Sequence, residues 1–326
     1  MSRPDPQLPA VFTRSDAAAK GITRGQVQRR VGSGTWRVLR RGAFCLAATW
    51  DAADRHERYR LLSLAALKVV AGPHVISHAS AAVLHHLPMP RGRERAWLTT
   101  EPDRPTRYLC DLVVESASVP DQERWTVREE PTTSVARTVA DCLRHLDTVD
   151  AVAIADAALH GDPDLGPVVQ RILDRCATWP YAARAARRLP LVDARRESYA
   201  ESWSYVLLDE LGVPLPEPQV TIRDENGDFV ARVDALWDRR VVGEVDGLVK
   251  YGVGGDMPVE EARLALVREK RREEALTQLG LRVVRWGTKD LARPRQWGDR
   301  IRAELARPSL AGVTARFAYS PDARSG

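Results

Sequence analysis

The chain has 326 residues, 44% of them apolar, and a net charge of +5; it is too long for one ordinary core, so roughly two or three globular domains are expected. No apolar run reaches the ~20 residues of a membrane span, and the opening "MSRPDPQLPA" lacks the apolar segment of a signal peptide, so a cytoplasmic location without membrane contact is expected. Cys45, Cys110, Cys142 and Cys176 lie far apart with no CxxC pair, which suits reduced thiols better than a disulfide framework or a zinc site.

Residues 1–48 hold nine Arg or Lys against two acids, an excess of +7 that leaves −2 for the other 278 residues. Positive charge concentrated this way is a footprint for a polyanion, or a solvated arginine-rich surface. Thr13 with Asp16 caps a short helix ending at Gly21, and Thr23 with Gln26 is a capping-box signature for a second. In the second helix Val27 and Val31 share a face, leaving Arg24, Gln28 and Arg30 outward. After "GSG", the stretch "TWRVLRRGAF" reads as the two strands of a wing turned near Arg40–Gly42. Helix, glycine turn, helix and wing make a winged helix-turn-helix that sets its second helix in the DNA major groove. The candidate DNA contacts are Arg24, Gln28, Arg29, Arg30, Arg37, Arg40 and Arg41. Through "FTRSDAAAKGITRGQVQRRV…GTWRVLRRGAF" the chain resembles the winged-helix domain at the amino terminus of AbiEi-type antitoxins. That resemblance implies operator binding, repression of its own operon and a cognate toxin encoded nearby.

Residues 49–160 alternate helical and strand patterns. "RYRLLSLAALKVVAG" and "SHASAAVLHHLPMP" predict helices, "AWLTT" and "CDLVVESA" strands, and "TTSVARTVADCLRHLDTVDAVAIADAALHG" two further helices. His74, His78, His85 and His86 straddle a loop and a helix end rather than one HxxxH face, so they read as satisfied or solvated histidines, not metal ligands. "TSVARTVADCLR" again resembles AbiEi-like proteins; Arg137 and Asp141 within it are explained as an i,i+4 ion pair. Residues 161–195 read as a helical connector.

From residue 196 the predicted order is α-β-β-β-α-β, ending in "LRVVRW", with a flexible tail over 307–326. The hairpin "RVDALWDRRVVGEVDGLVKY" raises the chemical question. With Asp238–Arg240 as its turn, Trp237 opposes Val241, Asp234 opposes Glu244, and Arg232 opposes Asp246. Like charges opposed across a ladder are destabilising; either the face is solvated, or a divalent cation sits between the acids.

The element order matches the PD-(D/E)XK nuclease core, and "SYAES", "ARVDALW", "GEVDGLVKY", "REKRREEALTQLGLRVVRW" and "KDL" resemble the branch related to very-short-patch-repair endonucleases. The resemblance covers residues 196–306 as a nuclease-like domain and implies Mg²⁺ or Mn²⁺ held by Asp234 and Glu244, with Glu201 completing the site. Ser198 and Glu201 also form a capping box, which needs no catalysis. Where the family's ExK motif has lysine, this chain has Asp246, so the lysine role falls to Lys250 or Lys270. The fold class expected is therefore α+β multidomain: winged helix, mixed α/β middle region and restriction-endonuclease-like core. The expected activities are metal-dependent DNA cleavage, or DNA binding by a repressor or antitoxin with an inactive nuclease-like domain.

Overall fold

The computed structural model describes residues 8–92, 94–246, 259–308 and 312–319. The fold is mixed α/β, with three sheets among the described residues, and no described helix is long and apolar enough to cross a membrane. The chain divides into two compact units, 1–146 with 167–185, and 147–166 with 186–326. The stretch expected as a connector, 161–195, is thus shared between them.

The first unit opens with β1 (Phe12–Thr13), α1 (Arg14–Ala19), α2 (Arg24–Gly32), β2 (Trp36–Arg40) and β3 (Ala43–Leu46), the strands pairing antiparallel in the order β1-β3-β2. Both expected capping boxes form: the Asp16 carboxylate accepts from the Thr13 N–H at 2.8 Å, and the Gln26 carbonyl from the Thr23 N–H at 2.8 Å. Each satisfies a donor that the first helical turn leaves orphaned. Gly21, at φ +76°, supplies the left-handed turn between the helices. Phe12, Ile22, Val27, Trp36 and Phe44 close a small core beneath them.

Next come α3 (Ala47–Ala52), α4 (Arg55–Val69), β4 (His74–Ile76), α5 (His78–Leu84), β5 (Ala96–Thr100), β6 (Arg107–Tyr108), β7 (Leu112–Ser116), β8 (Arg124–Val127), β9 (Glu130–Thr133) and α6 (Val135–His145). The strands form one mixed sheet, β6-β7-β5-β4-β9-β8. Leu61, Leu64, Ile76, Leu84, Leu98 and Val114 fill its core. The sequence patterns find α4, α5, β5, β7 and α6; β4 and β6, at 3 and 2 residues, are too short to show a period.

The second unit begins with α7 (Thr148–Gly161); α8 (Leu165–Arg175) spans the division, and α9 (Ala182–Arg188) follows. Then come α10 (Tyr199–Glu210), β10 (Glu217–Arg223), β11 (Phe229–Trp237), β12 (Val241–Asp246), α11 (Val259–Gln278) and β13 (Arg282–Gly287). The chain continues as α12 (Thr288–Leu291), α13 (Pro294–Ala306) and β14 (Arg316–Tyr319). Sheet order is β13-β12-β11-β10-β14, with β12 and β13 parallel. The stretch expected as a flexible tail thus contributes an edge strand, because Arg316–Tyr319 completes the ladder of β10.

Two cores sandwich this sheet. Leu208, Trp237, Val241, Trp286 and Trp297 pack on one face, and Val220, Val233, Leu236, Val242 and Leu276 on the other. Gly243 is dictated by the first: a Cβ there would stand 2.5 Å from the Trp286 ring and 2.8 Å from that of Trp237. Along β11 the alternation reverses, since Val233 and Leu236 share one core while Ala235 lies in the other. In a regular strand residues three apart face opposite sides. The reversal falls at Asp234, and opposite it on β10 lies Gln219, with a left-handed φ of +54° between the pairs Pro218–Ala235 and Val220–Val233.

Candidate functional site

The reversal gathers acidic side chains. Ser198 caps α10 by accepting the Glu201 N–H at 3.2 Å, which sets Glu201 in the first turn, 5% exposed. Its carboxylate turns back to accept from the Glu197 N–H at 3.1 Å and from the Gln219 side-chain amide at 2.8 Å. The same amide stands 3.4 Å from Asp234 Oδ1, and Asp234 Oδ2 accepts the Val245 N–H at 2.8 Å. Asp234 therefore lies against the peptide joining Glu244 to Val245.

Glu244 faces α11. Arg272 stands 2.5 Å from its Oε1, and Arg285, its neighbour across the parallel ladder, 3.0 Å from Oε2. Arg285 also meets Glu269 at 2.5 Å and Glu273 at 3.2 Å. Burial pushes the Glu201 carboxyl above the ordinary glutamate range, helped by the charge of Asp234. Burial likewise pushes Glu244 up, against the opposing pull of Arg272 and Arg285.

The hairpin turns at Asp238–Arg240, and Trp237 pairs with Val241 as the sequence predicts. The ladder ends at Ala235–Gly243, however, so the expected opposition of Arg232 to Asp246 gives way: Arg232 pairs with Glu197 at 2.6 Å. The alternation switch at Asp234, invisible in the residue pattern, is the reason. Asp246 is exposed at the end of β12 beside Gly287. Lys270 is 80% exposed on α11, 3.9 Å from Glu274, and Lys250 lies outside the described residues.

Among the residues proposed to contact DNA, Arg24, Gln28 and Arg29 are exposed on α2, and Arg41 at the turn between β2 and β3. Three others make contacts within the unit. Arg30, expected to point outward, is half-buried with its guanidinium 5.3 Å from the Trp36 ring centroid. Arg37 stacks over Trp50 at 4.5 Å, and Arg40 pairs with Asp111 at 2.8 Å.

No family model matches the chain. Two uncharacterized proteins of Mycobacterium tuberculosis, from strains CDC 1551 / Oshkosh and ATCC 25618 / H37Rv, are similar to it. Each is 30% identical over 182 residues, covering 55% of this chain and 64% of the relative. The match thus spans less than two thirds of either relative.

Sequence reasoning missed Gln219, Arg272 and Arg285. Gln219 is hidden in a strand-like run, "PEPQVTIRD", and nothing there signals a left-handed backbone. Glu269 and Arg272 sit three apart on α11, a spacing that marks a shared face but reads as an ordinary solvated charge run.

Proposed function

We propose that the chain binds DNA through an amino-terminal winged helix and hydrolyses phosphodiester bonds in a restriction-endonuclease-like carboxyl-terminal unit, with Mg²⁺ or Mn²⁺ held by Asp234 and Glu244. The observation that carries this reading is the gathering of Glu201, Gln219 and Asp234 where the sheet faces exchange, with Glu244 joined to the peptide on which Asp234 rests. Irregular backbone at a sheet centre is costly and concentrates at functional sites. The order α10-β10-β11-β12-α11-β13 supports the nuclease-like core.

The ligands, the carboxylate oxygens of Asp234 and Glu244, fit a hard cation. Buried carboxyls with raised pKa values also gain most from a positive charge. Bound there, a divalent cation polarises the phosphate and lowers the pKa of a coordinated water. Glu201 orients Gln219, and Gln219 in turn fixes one oxygen of Asp234. Arg272 and Arg285 supply positive charge beside the phosphate as its own charge develops. In the amino-terminal part, Arg24, Gln28 and Arg29 on α2 face the groove, and Arg41 reaches the backbone.

One observation favours a second reading, a DNA-binding repressor or antitoxin that does not cut and pairs with a toxin. Arg272 and Arg285 already neutralise Glu244 at 2.5 and 3.0 Å, as a cation otherwise would. Supercoiled plasmid with Mg²⁺ or Mn²⁺ separates the two. Nicking that disappears in Asp234→Asn and Glu244→Gln supports the nuclease; tight DNA binding without nicking supports the repressor. In both readings Arg24→Ala with Arg29→Ala weakens DNA binding and its salt dependence.

A further inference from the structure

We propose that His78, Glu115 and His145, in the first unit, form a binding site for a transition-metal dication of the zinc class. The sequence treats these residues as unrelated, and sets His78 beside His74, His85 and His86 instead. The fold brings together the first residue of α5, a residue of β7 and the last residue of α6, with one ligand atom from each lying within 4.8 Å of the others.

The two imidazoles approach the two oxygens of one carboxylate. His78 Nε2 lies 2.9 Å from Glu115 Oε2, and His145 Nε2 lies 2.9 Å from Glu115 Oε1. Yet His78 Nε2 and Glu115 Oε2 are buried without a hydrogen-bond partner: they approach each other but are not aligned as donor and acceptor. Atoms ~2.1 Å from one zinc-class ion at the tetrahedral angle are ~3.4 Å apart, so loading opens each of these gaps by about half an ångström. His78 is wholly buried, and its backbone is held in the left-handed region at φ +50°, an uncommon conformation for a histidine.

The surroundings orient the ligands. His78 Nδ1 lies 2.9 Å from Ser77 Oγ, which accepts from the Thr99 hydroxyl at 2.8 Å, and Trp97 stacks on the ring at 4.4 Å. Arg144 donates to Glu115 Oε1 at 3.0 Å while Asp141 holds its other terminal nitrogen at 2.9 Å. Such outer partners fix ring orientation and ligand basicity in metal sites. Two imidazoles and one carboxylate select zinc-like ions over Mg²⁺.

Arg144 Nη2 also stands 3.2 Å from His145 Nε2. Loading the site requires this guanidinium to release His145 and keep Glu115. Three protein ligands leave a further coordination position, and a cavity of about 610 Å³ reaches the site, lined by Tyr108, Glu115, Arg144, His145, Trp179 and Tyr181 among others. An open position beside a cavity is the arrangement of a site that also takes a small ligand.

The test uses the full chain, stripped with a chelator and titrated with Co²⁺ and then Zn²⁺. One equivalent of Co²⁺ should give a visible absorption band that Zn²⁺ bleaches, with a rise in the thermal midpoint. Metal affinity should fall about tenfold or more in His78→Gln and His145→Gln, and stay unchanged in His56→Gln, an exposed histidine outside the cluster. No band from folded wild-type protein, or a band that survives unchanged in both histidine variants, overturns the proposal. If a histidine variant fails to fold, zinc-edge X-ray absorption of the wild type decides: two imidazoles support the site and an all-oxygen shell overturns it.

Discussion

The two units bury charge in opposite ways. In the first, Arg137 is enclosed by Asp141 at 2.8 Å and Glu123 at 2.9 Å, and Arg144 by Asp141 at 2.9 Å and Glu115 at 3.0 Å. Attraction wins over desolvation there: Arg137 is held well above its ordinary range by Asp141 and Glu123. At three buried carboxyls of the second unit desolvation wins. Glu201, Glu244 and the fully buried Asp156 are all pushed up, Asp156 to about 6, despite Arg196 at 3.1 Å. A network in which attraction dominates specifies packing, whereas carboxyls whose burial outweighs their partners favour a proton or a cation.

The largest expected effect tests the compensated side. Arg137→Met leaves Asp141 and Glu123 buried with less positive charge, and should cost roughly 3–5 kcal/mol in urea unfolding. A loss below about 1 kcal/mol would break the contrast between the units. Gly243→Ala probes the sheet beneath the acids; its methyl meets Trp237 and Trp286, so a loss of about 2 kcal/mol in thermal unfolding is expected from overpacking.

The pH response should differ in sign. Asp156 binds its proton more tightly when folded, so its contribution is fully present below the unfolded value of 3.8 and is lost as pH rises to about 6. That change is on the order of 3 kcal/mol, and Asp156→Asn should flatten it. His74 and His85 are depressed by burial, so their contribution is present above the unfolded value near 6.5 and is lost as pH falls. Hydrogen exchange resolved by segment, which reads local openings, followed from about pH 4 to about pH 7, should show opposite slopes in the two units. The smallest stability effect belongs to Glu201→Gln, within about 1 kcal/mol of wild type because burial penalises the charge of the folded carboxylate. Plasmid nicking should nonetheless fall in that variant.

Local signals were legible where they act over a few residues. Thr13–Asp16 and Thr23–Gln26 place helix starts because capping is decided within one turn. The turn at Asp238–Arg240 sets the pairing of Trp237 with Val241 for the same reason. Periodicity likewise reveals α4, β5, α6 and the run of elements from α10 to β13.

By itself, then, the sequence determined the caps, the turn register, most of the helices and the concentration of arginine in the amino-terminal segment. Only the tertiary structure decided which charges meet. It turned Glu244 toward Arg272 and Arg285, placed Gln219 opposite Asp234, and joined His78 to His145 across 67 residues of sequence. Those encounters depend on a strand changing faces at one residue and on helix ends converging from distant segments. Neither leaves a period or a spacing in the chain, because the partners are adjacent only after the sheets have formed.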